Sequence, residues 1–163
     1  MSADNQQERS DNDLHNYIAG FVDGEGSFHI AIQRRSSMRL KWQLIPEFRV
    51  SQHKDRIDML RIIKKTFGCG IIKPNHRQTN DANYVYVVRN RNDLYYKIIP
   101  FFKKFHLISG KNNDFKKFAN IIRKMKNGKY LFRNEFEKML KIAFSMNRKG
   151  KYRTKYSLDS FII

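Results

Sequence analysis

Residues 17–26 read Tyr-Ile-Ala-Gly-Phe-Val-Asp-Gly-Glu-Gly and contain the predicted end of a helix. Five apolar residues in and before this segment recur at helical spacing and are expected on one face: Leu14, Tyr17, Ile18, Phe21 and Val22. Asp13 can cap the helix at its start, and Gly24 and Gly26 are expected to stop it. The segment therefore predicts an amphipathic helix that begins near residue 13.

The opposite face of this helix carries small or short residues. They are Ala19, Gly20, Asp23 and Gly24. A glycine inside a helix costs about 1 kcal/mol relative to alanine, so Gly20 needs a packing reason. Small residues one turn apart allow two helix backbones to approach closely. We therefore predict contact with the same helix of a second subunit across a two-fold axis, with Ala19, Gly20 and Asp23 in the interface.

An acidic residue, Glu25, follows at the predicted C-terminal end of the helix, where the helix dipole disfavours negative charge. A carboxylate held there beside its two-fold mate would attract a divalent cation, and such oxygen ligands suit Mg²⁺ or Mn²⁺. A turn rich in glycine and aspartate, with no chemistry, is the common alternative. The residues alone leave both interpretations open.

The net charge of the chain limits the kinds of partner that it can bind. The 163 residues contain 33 Lys and Arg against 15 Asp and Glu, for a formal net charge of +18. Self-repulsion of that size indicates a polyanionic partner, and the basic residues are spread along the chain rather than gathered on one amphipathic helix. This distribution favours nucleic acid over a membrane surface.

Three features bear on localisation. No apolar run is long enough to span a bilayer, and the polar N-terminus is unlike a signal peptide. A single cysteine suits a reducing setting, so an intracellular protein that is not secreted is expected.

The remaining patterns predict an α+β domain over residues 13–147, after a flexible tail (1–12) and before a basic segment (148–163). Strands are predicted at 27–33, 42–51, 70–73 and 83–89, the second being an edge or bulged strand because of Pro46. Helices are predicted at 55–66, 93–105 with a kink or break at Pro100, 111–126 and 133–146. Because consecutive strands pair locally, the sheet should be antiparallel, with the helices packed on one face.

Alternation along the strands places hydrogen-bonding side chains on the other sheet face. They are His29, Gln33, Gln43, Arg49, Lys73 and Asn83. Such side chains recognise base edges, so this face is predicted to contact DNA, although a solvated outer face is the usual alternative. Phosphate contacts are predicted from the turn at 34–41, the loop at 73–77 and the segment 148–155, through Arg34, Arg35, Asn75, Arg77, Arg148, Lys149, Lys151 and Arg153. A merely solubilising surface would explain the same charges.

Ile18 to Gly26 resembles the nine-residue signature of the LAGLIDADG homing endonuclease family. The element order over residues 13–147 is similar to the αββαββα fold of that family, with a saddle-shaped antiparallel sheet and extra C-terminal helices. The motif occurs once, which is typical of the branch that works as a homodimer. The resemblance implies a site-specific double-strand DNA endonuclease, and an intron-encoded one is expected because 163 residues leave no room for a splicing domain.

The resemblance also implies roles for matching residues. Glu25 would be the metal ligand, with help from the Gly24 carbonyl, and Asp23 would cap or brace the paired helices. Gln52, at the end of the second strand, would order the attacking water. Lys111 would assist catalysis, although one plausible alignment places Ser109 there instead.

Two other functions are considered. A non-cleaving RNA maturase or DNA-binding regulator could use the same fold, with intron RNA as its partner, but such proteins often lose the acidic residue that Glu25 retains here. A ribosome-associated basic protein would explain the charge and leave the small-residue helix face without a role. Binding that is strong, sensitive to salt and without sequence preference would favour the latter.

Overall fold

A computed structural model describes residues 3–75 and 82–147 of the chain. The helices are α1 (Ala3–Glu25), α2 (Ile57–Phe67), α3 (Arg91–Asp93), α4 (Ile99–Lys104), α5 (Lys111–Lys126) and α6 (Arg133–Phe144). The strands are β1 (Gly26–Arg34), β2 (Trp42–His53), β3 (Ile71–Pro74) and β4 (Asn83–Val88). Short 3₁₀ turns precede α2 (Lys54–Arg56) and α6 (Lys129–Leu131), and a π-helical segment (Leu94–Ile98) joins α3 to α4.

The four strands form one antiparallel sheet in the order β1-β2-β4-β3. In its register Phe28 lies opposite Phe48, and Phe48 lies opposite Val88, so these apolar residues share one face. That face is covered by helices, and the ring centroids of Phe28 and Phe48 lie 5.4 and 5.5 Å from that of Phe102. The predicted α+β class, antiparallel pairing and single helical layer are confirmed.

The first helix begins ten residues earlier than predicted. Residues 3–12 are helical, so the placement of a tail up to residue 12, with a helix start at Asp13, is wrong. No glycine or proline precedes Gly20, and a helix that is anchored by packing at its far end can extend through polar residues at little cost.

The first helix is also rotated relative to the prediction. Ile18, Ala19 and Val22 lie in the core, at 0–3% exposure, whereas Leu14 and Tyr17 are 39% and 60% exposed. The reason lies in the connection to β1, which begins at the residue after the helix ends. A side chain on Gly26 would lie 2.6 Å from Val22 Cγ1 and 2.8 Å from its carbonyl oxygen, so only glycine allows this close reversal. The reversal sets which side of α1 faces the sheet.

The second strand is both an interior strand and an edge strand. Phe48, Arg49 and Val50 pair with β1 on one side and with β4 on the other, so the prediction of an edge strand is wrong for these three residues, whereas residues 51–53 pair, among the described residues, with β4 alone. Pro46 lies in the first half, which pairs with β1 alone in the described part of the chain. A proline is tolerated there because one side of the strand needs no ladder hydrogen bond.

The predicted discontinuity near Pro100 is a change of helix type. The π-helical segment ends at Ile98, and Pro100, which has no N–H to donate, follows in the first turn of α4. Helix α5 begins at Lys111 and ends at Lys126, as predicted. Across the described residues, no helix has both the length and the apolar character needed to cross a bilayer.

Candidate active site and nucleic-acid interface

The acidic end of α1 is exposed. Glu25 is the last residue of the helix, and both Glu25 and Gly24 are accessible to solvent. A Cβ atom on Gly24 would meet nothing within 4 Å, so the space beside the helix end is open. The carboxylate of Glu25 is therefore accessible to a ligand from outside the subunit.

The ammonium group of Lys111 reaches this helix end. Its Nζ donates to the carbonyl oxygens of Val22 at 2.9 Å and of Gly24 at 3.2 Å. Burial lowers the pKa of the Lys111 ammonium, and the nearby carboxylates, of which Asp23 and Glu25 are the foremost, offset part of the decrease. The structure thus brings two residues predicted for catalysis, 86 positions apart, to one place.

Asp23 connects the same helix end to the segment that precedes α5. Its Oδ2 accepts hydrogen bonds from the backbone N–H groups of Ile108 (3.0 Å) and Ser109 (2.8 Å), and its Oδ1 accepts one from the Ser109 hydroxyl. Partial burial acts to raise the pKa of Asp23, but these hydrogen bonds outweigh it and hold the pKa below its ordinary value. Ser109 is thereby committed to Asp23, and Lys111 is the residue that reaches the motif.

Replacing Asp23 by asparagine is expected to weaken this connection and to change the pH dependence of stability. Because the folded pKa is lowered, the ionised carboxylate stabilises the fold above its unfolded pKa of about 3.9, and this contribution is lost as the pH falls through the folded value. Asp23→Asn should lower the free energy of unfolding at pH 7 by about 0.5–1.5 kcal/mol, since the hydrogen bonds are solvent-exposed.

Urea unfolding between pH 7 and pH 2 provides the measurement. The deficit of the variant should shrink as the pH falls below about 4. Asp13→Asn is the matched control, because Asp13 is an exposed aspartate on the same helix. A deficit of the Asp23 variant that does not change with pH would contradict the prediction.

Gln52 lies at the same end of the sheet. Gly26 pairs with Val50, so Gln52 extends two residues beyond the start of β1, on the side toward Gly24 and Glu25. It is half-buried and pairs with Tyr84 of β4. Its position in the register agrees with a place beside the end of α1.

The donors suit a hard divalent cation, although one chain supplies few of them. Within residues 3–75 and 82–147, no three His, Cys, Asp or Glu side chains form a group that could hold a metal. Glu25 and the Gly24 carbonyl are two oxygen donors, and Mg²⁺ is commonly held by one or two carboxylates with water and substrate phosphate. The residues present therefore fit such an ion at an open site.

The predicted interface residues of the sheet do share one face. Gln33 lies opposite Gln43, Arg49 lies opposite Ser27 and Val87, and Lys73 lies opposite Val85. Register places His29 and Asn83 on this face as well. Two of its side chains are held by neighbours, since Arg35 Nε donates to Gln43 Oε1 and Arg49 Nη2 donates to Asn75 Oδ1, both at 3.1 Å.

The basic loops are only partly described. Arg34 and Arg35 are exposed at the end of β1 and in the following turn. Five predicted phosphate contacts lie outside the described residues: Arg77, Arg148, Lys149, Lys151 and Arg153.

Two residues of the outer sheet face were missed by the sequence analysis. Glu47 is 6% exposed, and Arg89, one residue after β4, donates through Nε to its carboxylate at 2.7 Å. The alternation in β2 did place Glu47 on the outer face. Its pairing with Arg89 depends on the contact of β2 with β4, which no local pattern predicts.

The predicted subunit interface needs correction. The Asp23 carboxylate accepts hydrogen bonds within the chain and its place in the interface stays a prediction, whereas Ala19 is buried in the core of its own subunit, so the assignment of its side chain to the interface was wrong. The inward rotation of α1 is the physical reason. Gly20 is exposed, and a Cβ atom there would meet nothing within 4 Å.

Comparison with known proteins agrees with this fold. The family model described as LAGLIDADG endonuclease matches residues 18–122, which include the motif, the sheet and most of α5. The chain belongs to the LAGLIDADG endonuclease family. Among curated relatives, DNA endonuclease I-CeuI of Chlamydomonas moewusii is 29% identical over 104 residues. That alignment covers 64% of this chain, which spans about half (47%) of the length of I-CeuI.

Two solved structures match over most of their own length. The homing endonuclease I-TnaI superposes with a TM-score of 0.81 at 39% identity, covering 90% of this chain and 97% of that one. The archaeal intron-encoded homing endonuclease I-Vdi141I, solved in complex with DNA, superposes with a TM-score of 0.83 at 30% identity and 93% coverage of both chains. The predicted family and its fold are confirmed.

Proposed function

We propose that this protein is a site-specific homing endonuclease, encoded in an intron, that cuts both strands of duplex DNA. The observation that carries the proposal is the pair of hydrogen bonds from Lys111 Nζ to the carbonyls of Val22 and Gly24. They place a cation beside an exposed carboxylate at the end of the family motif. That combination suits phosphodiester hydrolysis, in which negative charge develops on phosphate oxygens.

Each residue of the site would have a distinct task. Glu25, with the Gly24 carbonyl, would hold a divalent cation, Mg²⁺ or Mn²⁺, which when bound polarises water and phosphate oxygens. Lys111 would neutralise charge on the phosphate, and Gln52 would orient the attacking water. Asp23 would keep Lys111 in place by fixing the segment that precedes α5. An open cleft of about 800 Å³ beside Lys111, between the start of β1 and the end of α6, leaves room for a DNA strand.

Two subunits would associate through the exposed face of α1. This revised interface combines apolar and small residues: Leu14, Tyr17, Gly20, Phe21 and Gly24. Exposed apolar residues gain free energy from burial, and the glycines would allow the two backbones to approach closely. Because Glu25 ends the same helix, a two-fold axis there would bring the two Glu25 carboxylates together. Each subunit would then cut one strand.

The outer sheet face would recognise one half-site. Its side chains (His29, Gln33, Gln43, Arg49, Lys73 and Asn83) include donors and acceptors suited to base edges in the major groove, and Arg34 and Arg35 at its rim would contact phosphates. The I-Vdi141I complex shows that a protein of this fold binds DNA. The formal net charge of +18 supports the same partner.

The test is cleavage of a randomised duplex library by the purified protein. We expect double-strand breaks at one long sequence, roughly symmetric about its centre, in Mg²⁺ or Mn²⁺, and none in EDTA. Specific binding without cleavage in either metal would overturn the nuclease assignment and favour a non-cleaving binder of the same fold. Binding without sequence preference would overturn the proposed specificity.

A further inference from the structure

Glu47 is the one charged side chain that is buried among the described residues, and it lies on the outer sheet face. A carboxylate under a surface that meets a polyanion opposes binding electrostatically. Burial also costs free energy unless the charge is paired. The Glu47 carboxylate therefore needs positively charged partners at this position.

Two arginines flank this carboxylate. Arg89 Nε lies 2.7 Å from Glu47 Oε1, and Arg49 Nη1 lies 3.7 Å from Oε2. Val88 pairs with Phe48, so Arg89 continues β4 beside Glu47, while His29 of β1 lies opposite Glu47 on the other side. Glu47 thus occupies the middle of a row that crosses the sheet.

The two arginines are held differently. Arg49 also donates from Nη2 to Asn75 Oδ1, and its side chain is 34% exposed. Arg89 contacts Glu47 through Nε, at the inner edge of the guanidinium, and its side chain is 54% exposed. Within residues 3–75 and 82–147 no other acceptor contacts the Arg89 side chain, so both of its Nη groups are open to acceptors of a partner.

A guanidinium held through Nε presents its two Nη groups as a fixed fork. Two donors in this geometry match the O6 and N7 acceptors of guanine in the major groove. An arginine that is not held by a carboxylate loses more side-chain entropy when it binds. The ion pair with Glu47 therefore restricts the Arg89 side chain and favours a specific contact with a base.

We propose that Arg89 recognises a guanine in each half-site and that Glu47 is the positioning residue that aims it. This inference rests on the proposed function, since it requires the outer sheet face to meet the major groove. It adds to the predicted interface a residue from the end of β4 and gives the buried carboxylate a role in specificity.

The experiment compares sequence preference rather than cleavage. Unmodified protein, Glu47→Gln and Arg89→Ala are each mixed with a randomised duplex library without divalent cation, and the bound DNA is sequenced. We expect a guanine at one position of each half-site, preferred over other bases by roughly 5- to 150-fold. Both variants should lose this preference and keep those at the other positions.

Further measurements distinguish positioning of Arg89 by Glu47 from a general contribution of Glu47 to folding. The double variant should lose no more preference than Arg89→Ala alone, because the two residues act as a unit. Arg89→Lys keeps a cation beside Glu47 and lacks the fork, so it should also lose the guanine preference. Glu137→Gln is the matched control, because Glu137 pairs with Arg133 on α6 at 3.9 Å, and it should leave every preference unchanged.

The outcomes distinguish this inference from the proposed function. If the unmodified protein is specific and Arg89→Ala or Glu47→Gln keeps the complete profile, the inference is overturned and the function stands. Preferences weakened equally at all positions would likewise overturn it, because they indicate a role in the scaffold alone. An unmodified protein with no sequence preference would overturn both.

Discussion

Glu25→Gln is expected to reduce the rate of DNA cleavage by roughly 10²- to 10³-fold or more while leaving affinity for duplex DNA nearly unchanged. The substitution keeps the size of the side chain and removes the charge that would hold the divalent cation. Glu25 is exposed at the end of α1, so the change should not disturb the core. Without the metal, removing one negative charge near a phosphate lowers repulsion, so DNA binding should not weaken.

The measurement is single-turnover cleavage of the selected target in Mg²⁺, with binding measured in parallel without the metal. Glu8→Gln is the matched control, because Glu8 is an exposed glutamate on the same helix, far from its C-terminal end. It should cleave at the unmodified rate. A Glu25 variant that cleaves within a few fold of this rate would exclude Glu25 as the metal ligand.

Gly20→Leu is expected to convert a dimer into a monomer and to lower double-strand cleavage by roughly 10²-fold or more, because the two sites lose their relative placement. Within its own subunit a Cβ atom at this position would meet nothing within 4 Å, and leucine favours a helix more than glycine does. The fold of the single subunit should therefore tolerate the change. The leucine side chain should, however, prevent the close approach of two α1 helices.

Sedimentation gives the direct readout. The mass should fall from twice the chain mass toward 19.6 kDa, with the circular dichroism spectrum retained. Tyr17→Asp should have the same effect through the same helix face, whereas Tyr96→Asp should not, although both tyrosines are 60% exposed. Dimers that persist in both Gly20→Leu and Tyr17→Asp would place the subunit interface elsewhere.

Much of the fold could be predicted because local patterns report local structure. The alternation of Phe28 and Ile30 in β1, and the helical spacing in α5, each reflect burial of one face of a single element. Element order followed, and antiparallel pairing of consecutive strands predicted the pairs β1–β2 and β3–β4, but not the contact of β2 with β4 that joins them into one sheet. The helix boundary near Asp13 failed because polar residues extend a helix without leaving a periodic signal.

The residues of the candidate site were predicted less completely than the fold. Glu25 and Gln52 were predicted from resemblance to a motif and from the end of a strand, and their roles stay predictions. The interface assignment of Ala19 failed because the side of α1 that packs inward depends on how the chain reverses at Gly26. Glu47 and Arg89 were missed as a pair because they lie on strands that are not consecutive in sequence.

The sequence by itself determined the family, the order of helices and strands, the basic character of the molecule and the presence of an acidic residue at the end of the first helix. These depend on composition and on short-range spacing. Only the tertiary structure decided that α1 turns Leu14 and Tyr17 outward, that Lys111 reaches the carbonyls of Val22 and Gly24, and that a buried carboxylate holds Arg89. Such contacts join residues far apart in the chain, and they depend on how packed elements are rotated and placed in register, which short-range periodicity does not encode.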